Sequence, residues 1–106
     1  MKSQVLEIQN LKKFDDEKRH QETIWSDDHS RISLICMKPG QEIITHTHHA
    51  NHIWMVMEGT GEFTSGKQSR SITTGQIVIV PTFEDHGICN ASQNDLVIAS
   101  ITAQGD

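Results

Sequence analysis

This sequence has no surplus of positive charge. Lys and Arg number 9 against 14 Asp and Glu in 106 residues, for a formal net charge of −5 and a pI near 5.7. A nucleic-acid or anionic-membrane binder needs a basic patch, so neither class of partner is expected. Long hydrophobic runs are missing too. The longest, Ile53 to Met57, is far short of the ~20 residues of a membrane span. The opening MKSQVLEIQNL holds no continuous apolar stretch and no cleavage site, so a secretory signal is not expected. Cysteine is scarce: Cys36 and Cys89 make neither a disulfide framework nor a CxxC pair. A cytoplasmic location follows as the expectation. Apolar residues are thin at 35%. The chain can build one modest core, with part of its interior polar or part of its stability drawn from a partner subunit. What is plentiful is histidine, with seven residues.

Helical periodicity is absent as well, which disfavours crossover helices between parallel strands. Val5 to Leu11 is a short apolar segment, and Lys12 to Glu22 is charged and reads as a surface connection or a short helical turn. From Arg31 onward the chain is a series of short β-branched or apolar runs: RISLICM, EIITHTH, HIWMVM, GEFTS, QIVIV and DLVIASITA. Turn signals separate them, among them Pro39-Gly40, Ala50-Asn51, Gly59 to Gly61 and Thr74-Gly75. Short strands at this spacing predict an all-β sandwich or barrel. One domain spans 1–106, with an N-terminal arm and first strand over 1–30 and the barrel core over 31–106.

His46 and His48 stand two apart in EIITHTH, so on a strand they share a face, roughly 7 Å apart between Cα atoms. Along one extended strand His52 would lie about 13 Å from His48, too far to share a metal with bonds of ~2.1 Å. A turn at His49-Ala50-Asn51 would make a hairpin and place His52 across from His48. Downstream, Gly75, QIVIV, Pro81, Phe83 and His86 read as a turn, a buried strand, a proline-marked bend and a histidine able to supply a fourth nitrogen.

These residues resemble the cupins, whose first motif is G-x5-H-x-H-x(3 or 4)-E-x6-G and whose second is G-x5-P-x-G-x2-H-x3-N. Gly40, His46, His48, His52 and Gly59 match the first in spacing, and Gly75, Pro81, Phe83, His86 and Asn90 the second. His52 replaces the usual glutamate and Phe83 the usual glycine. The first change leaves the ligand set uncharged, as in the small cupins with an all-histidine site, some of which bind manganese. The second sets a bulky ring beside the site. Seven histidines shuffled over the chain would fill four fixed slots with a probability of about 7 in a million, or roughly 4 in ten thousand over all placements.

The resemblance implies a cupin double-stranded β-helix, a jelly-roll-like barrel. His46, His48, His52 and His86 would ligate one divalent transition metal per subunit: Mn, Fe, Ni, Zn or Cu. It implies a choice among dioxygenase, isomerase or epimerase, and lyase chemistry on a small oxygenated or sugar-derived substrate. The metal would act as a Lewis acid or activate dioxygen. The alternative is a non-catalytic module that binds a small ligand or a metal, with a closed tetrahedral site. No general base stands out, so the catalytic residues are unassigned. Trp54 shares strand parity with His52 and is either a pocket wall or else core or dimer surface, and Phe83 is placed at the pocket mouth, the other reading being an ordinary core ring. His20, His29 and His49 fit no slot and read as solvated, as do Glu84 and Asp85. The resemblance also implies a homodimer that exchanges an N-terminal strand, for which Val5 to Leu11 is the candidate.

Overall fold

The computed structural model describes residues 2–46 and 49–103, with Thr45 and His46 described by their backbone. Among these residues the elements are a helical turn α1 (Ile8–Leu11) and nine strands. The strands are β1 (His20–Ser26), β2 (Ser30–Met37), β3 (Glu42–His46), β4 (Asn51–Glu58), β5 (Thr60–Ser65), β6 (Gln68–Thr73), β7 (Ile77–Val80), β8 (His86–Cys89) and β9 (Leu96–Ala103). They form a five-stranded sheet in the order β1-β2-β9-β4-β7 and a four-stranded sheet in the order β3-β8-β5-β6. All pairings are antiparallel. The all-β jelly-roll expectation holds.

Register across the larger sheet organises the interior. Residues paired across antiparallel strands share a face, so the inner face reads as successive rungs. Arg31, Thr102, His52 and Val80 form one rung; Thr23, Ser33, Ser100, Trp54 and Val78 form the next. Gln21, Ile35, Ile98 and Val56 follow. One end of the barrel is thus polar. The other is a packed core of Ile35, Met37, Ile43, Val56, Ile72, Ile88, Leu96 and Ile98, with Trp54 at the boundary. The thin apolar composition fits an interior that is only partly hydrophobic.

The outer face of the same sheet is covered by the N-terminal arm. Ile8, Leu11, Phe14 and Ile24 pack against a second cluster of Leu34, Cys36 and Val97. Burial there pushes the Cys36 thiol pKa up. The single turn α1 has no side-chain cap and is too short to be stable alone, so this packing holds it. Lys12 reaches both carboxylate oxygens of Glu58 at 3.2 Å, and Lys38 pairs with Asp16. The first pair is half-buried and the second exposed, and pairs near the surface contribute about 1 kcal/mol or less each, so apolar contact does most of the anchoring. Val5 to Leu11 is therefore not a strand, in contrast to the expectation above. Its apolar residues Ile8 and Leu11 are taken up by the chain's own sheet.

The hairpin expected between His48 and His52 does not form. β3 and β4 lie in different sheets, and His52 pairs with Val80 and Thr102. The jelly roll sends the chain across the barrel at that turn. The chain therefore changes sheets between the end of β3 and Asn51, the first residue of β4, and His48 lies outside the described residues.

Motif residues without a ligand role are structural. Asn90 is fully buried and makes four side-chain hydrogen bonds. It donates to the carbonyls of Met37 and Asn94 and accepts from the backbone N–H and hydroxyl of Ser92. Its backbone also pairs with Gly40 and Gln41, which fastens the turn before β3 to the end of β8. Gly59 turns β4 into β5 at φ +87°, where an added Cβ would stand 2.2 Å from the Asp95 carbonyl oxygen. Gly40 has a similar φ, +86°, but open space around it. Gly59→Ala should cost about 3 kcal/mol or more, since it adds a backbone clash to the left-handed penalty. Gly40→Ala should cost only about 1–2 kcal/mol. Urea unfolding of the two variants checks this, and equal losses would contradict the close approach at Gly59.

Candidate functional site

Two of the motif histidines meet inside the barrel from opposite sheets. His52 points inward from β4, whose burial alternates with His52, Trp54 and Val56 on the inner side. His86 opens β8 in the other sheet. Their ring centres are 5.0 Å apart with the planes tilted by 51°, and the residues are 7% and 1% exposed. Two imidazoles on adjacent positions of one ion with bonds of ~2.1 Å would have ring centres roughly 4.6–5.3 Å apart. The observed pair fits that requirement.

The structure also supplies what orients His86. Its Nδ1 lies 3.0 Å from the Glu84 carbonyl oxygen. A carbonyl only accepts, so Nδ1 carries the proton and the neutral ring has its lone pair on Nε2. Metal-ligating imidazoles are commonly fixed this way through their second nitrogen. The loop that delivers His86 is itself tied down. Thr82 donates its backbone N–H to Asn51 Oδ1 at 3.0 Å, and the Ser65 hydroxyl bonds the Glu84 carboxylate. Glu84 thus acts on the imidazole through its backbone, while its side chain braces the loop.

The backbone of His46 takes the register position opposite His86. A bulge between Ile43 and His46 puts it there: Ile43 pairs with Ile88 and His46 with His86, three residues on β3 against two on β8. That extra residue breaks the simple alternation by which Glu42 and His46 would share a face. Among the described residues no group of three or more His, Cys, Asp or Glu gathers at metal-binding spacing. His52 and His86 come together, His46 is placed by backbone alone, and His48 is not described.

Trp54 lies at the boundary between the core and a cavity. Its indole is 2% exposed and meets His52, His86 and Phe63 edge to face, with ring centres 6.5, 5.2 and 5.9 Å away. Its Nε1 donates to Ser100 Oγ at 3.1 Å, which satisfies a polar group that burial would otherwise penalise. It also lines a cavity of about 420 Å³ that opens between β1 and β3 and has His52 in its wall. The other polar walls are Arg19, Gln21, Arg31, Ser100 and Thr102. The two arginines were not singled out from the sequence. The signal for Arg31 was its parity with Ser33, Ile35 and Met37, which becomes informative once the inner face of β2 is known.

Phe83 lies away from this cavity. Its ring is 65% exposed and rests edge-on against His49, with ring centres 4.9 Å apart. Its backbone is left-handed at φ 64°, a conformation that costs a bulky residue about 1–2 kcal/mol and that glycine adopts without strain. Phe83→Gly should therefore leave the fold unchanged in stability or up to about 1 kcal/mol more stable, because conformational relief offsets the lost contact. A thermal melt checks it. A loss of about 3 kcal/mol, as for a core phenylalanine, would show the ring to be held.

Comparison with known proteins agrees with this architecture. The family model described as "Cupin domain" matches residues 33–102, and the chain belongs to the cupins. Mannose-1-phosphate guanylyltransferase RfbM of Salmonella typhimurium is 28% identical over 72 residues, covering 66% of this chain and 15% of that protein. This chain thus spans a small part of that relative's length. An uncharacterised conserved protein with a double-stranded β-helix domain from Klebsiella pneumoniae superposes with a TM-score of 0.90 at 22% identity, over 99% of this chain and 93% of that one. A predicted oxalate decarboxylase from Thermotoga maritima superposes with a TM-score of 0.77 at 20% identity, covering 80% of this chain and 79% of the other. At these identities the likeness to the solved structures is one of fold.

Proposed function

We propose that this cupin is a small metal-dependent enzyme acting on a small oxygenated or sugar-derived molecule in the barrel cavity. One observation carries the reading: two buried imidazoles from opposing sheets, 5.0 Å apart, one with its tautomer set by a backbone carbonyl, beside a cavity of about 420 Å³. His46, His48, His52 and His86 would hold one divalent ion, Mn, Fe, Ni, Zn or Cu. With no carboxylate in that ligand set, the site would keep the ion's positive charge. Such an ion supplies Lewis acidity or one-electron chemistry toward a chelating ligand. Trp54 forms the rigid wall on which that ligand rests, and Ser100 and Thr102 offer hydroxyls along it. A sequence relative that is a mannose-1-phosphate guanylyltransferase and a structural neighbour that is a predicted oxalate decarboxylase make oxygenated sugar- or acid-type ligands the class to screen.

A second reading, a non-catalytic binding module, is favoured by one feature of the same cavity. Among the described residues that line it there is no carboxylate to serve as a general base. Coordination separates the two: exchangeable water on the ion supports the enzyme, and a closed four-coordinate ion supports the module.

Elemental analysis of protein purified without chelator should find about one equivalent of metal per subunit. His52→Ala and His86→Ala should each retain less than a tenth of it. Metal should raise the melting temperature of the parent by mass action, and chelator should reverse that rise. Absence of binding after reconstitution with each of the five metals would remove the proposal.

The partner proposed is a second copy of the chain. β7 is a sheet edge, and its outward Ile77 and Ile79 are 60% and 71% exposed, an unprotected strand of the kind that seeks cover. Light scattering should give about twice the 11.9 kDa chain mass, and Ile79→Lys should shift the protein toward the monomer. A monomeric parent protein at high micromolar concentration would exclude this.

A further inference from the structure

The cavity beside His52 carries two arginines and, among its described lining residues, no acidic side chain. We propose that its ligand is a small anion whose carboxylate or phosphate group is held by Arg31 and Arg19; this rests on the metal reading for the ligand's other end.

Arg31 pairs with Thr102, and Thr102 pairs with His52, so the three lie side by side on the inner face of the sheet. Neighbouring strands are ~4.8 Å apart, which puts Arg31 and His52 roughly 10 Å apart at the backbone. Both side chains project to the same side, and the gap between their ends suits a molecule of a few heavy atoms. Thr102 sits between them with a hydroxyl able to bond such a molecule.

Arg19 closes the arrangement from the other wall. It lies just before β1, and its Nη1 donates to the Glu42 carbonyl oxygen at 3.3 Å, bridging the gap between β1 and β3. Its Nε is buried with no hydrogen-bond partner. A buried guanidinium nitrogen without an acceptor is costly, and an oxyanion in the cavity would satisfy it.

Among the described residues Arg31 takes part in no ion pair, and neither does Arg19. Asp27 and Asp28 line a neighbouring groove with Arg31 and form no ion pair with it, and Asp27 is engaged by the backbone N–H groups of His29 and Ser30 and by the Ser30 hydroxyl. Those donors hold its carboxyl below the usual carboxylate range. Two guanidiniums left without internal counterions around one cavity are the arrangement that recognises planar or tetrahedral oxyanions, since each offers a fork of N–H donors.

The test titrates malonate, inorganic phosphate and the neutral analogue malonamide into the full chain by calorimetry, with and without Mn²⁺. The parent should bind one of the two anions at least tenfold more tightly than malonamide. Malonate and phosphate separate carboxylate from phosphate recognition. Arg31→Gln and Arg19→Gln should each weaken that anion about tenfold or more, with metal content unchanged, and Arg31→Lys should recover part of the loss. Arg31 is exposed at the rim, so its variants report on binding without a folding defect. Anion binding that persists without metal and still depends on both arginines would uphold this proposal while the metal reading fails. Arginine variants that bind the anion like the parent, or a parent that binds neither anion better than malonamide, would overturn it.

Discussion

The antiparallel register of β9 between β2 and β4 is the constraint on which the rest of the structure depends. Each inner-face residue of β9 fixes a neighbour on both sides: Thr102 sets Arg31 and His52, Ser100 sets Ser33 and Trp54, and Ile98 sets Ile35 and Val56. A one-residue slip would exchange faces for the entire strand. It would turn Val97, Ala99 and Ile101 toward the cavity and set Ser100 and Thr102 against the outer cluster. The buried apolar residues Leu96 and Ile98 at one end of β9 resist that slip. Packing at the hydrophobic end of the barrel therefore positions the polar groups at the other end. The hydroxyl row costs little to bury because its members have partners, with Trp54 donating to Ser100 and Thr23 within 3.5 Å of Ser33.

His52 and His86 show how a jelly roll assembles a site that neither sheet could make alone. One histidine comes from each sheet, so the distance between the rings is set by the packing of the sheets. Trp54 is the spacer, touching both rings while its body lies in the apolar cluster. The connecting chain reinforces the same spacing. Asn51, the first residue of the strand carrying His52, holds the Thr82 backbone in the loop that leads to His86. Movement of either histidine strand would thus have to disturb a hydrogen bond, an aromatic wedge and a backbone-fixed tautomer together. This is the rigidity that a binding centre requires.

Much of the fold was legible because its signals are local. Alternation in HIWMVM marks β4, and the continuous run LVIAS marks a strand buried on both faces, as β9 is between the core and the N-terminal arm. The motif glycines and Asn90 were legible by spacing, and the structure gives them physical reasons: a backbone approach at Gly59 and a saturated buried amide at Asn90. What was not legible is non-local. The turn after His48 looks like a hairpin because three residues can close one, and only sheet assignment reveals the crossover. The bulge in β3 leaves no mark in EIITHTH, although it moves His46 into register with His86. Val5 to Leu11 has apolar residues but no alternation that fixes a face, and the uncovered cluster of Leu34, Cys36 and Val97 decides its fate. The arginines escaped notice for a related reason: charged residues on strands are usually solvated, and a polar inner face is a property of the barrel as a whole.

Electrostatics ties these features together. A glutamate at position 52 would give the centre a compensating negative charge, and histidine at that position gives none. Arg19 and Arg31 add positive charge to the same cavity, and no acidic side chain among the described lining residues offsets it. The chain as a whole carries a net charge of −5, so the acidity has been moved to the exterior, where Asp16, Glu22 and Glu58 pair with lysines of the arm and the β2–β3 turn. Arg31 stands exposed at the rim and Arg19 is half-buried, so the cavity mouth presents positive charge on an otherwise acidic chain. A negatively charged occupant is the one such a mouth would attract. Packing at the apolar end and the arm clamped over the outer face together fix the sheet that carries these polar groups.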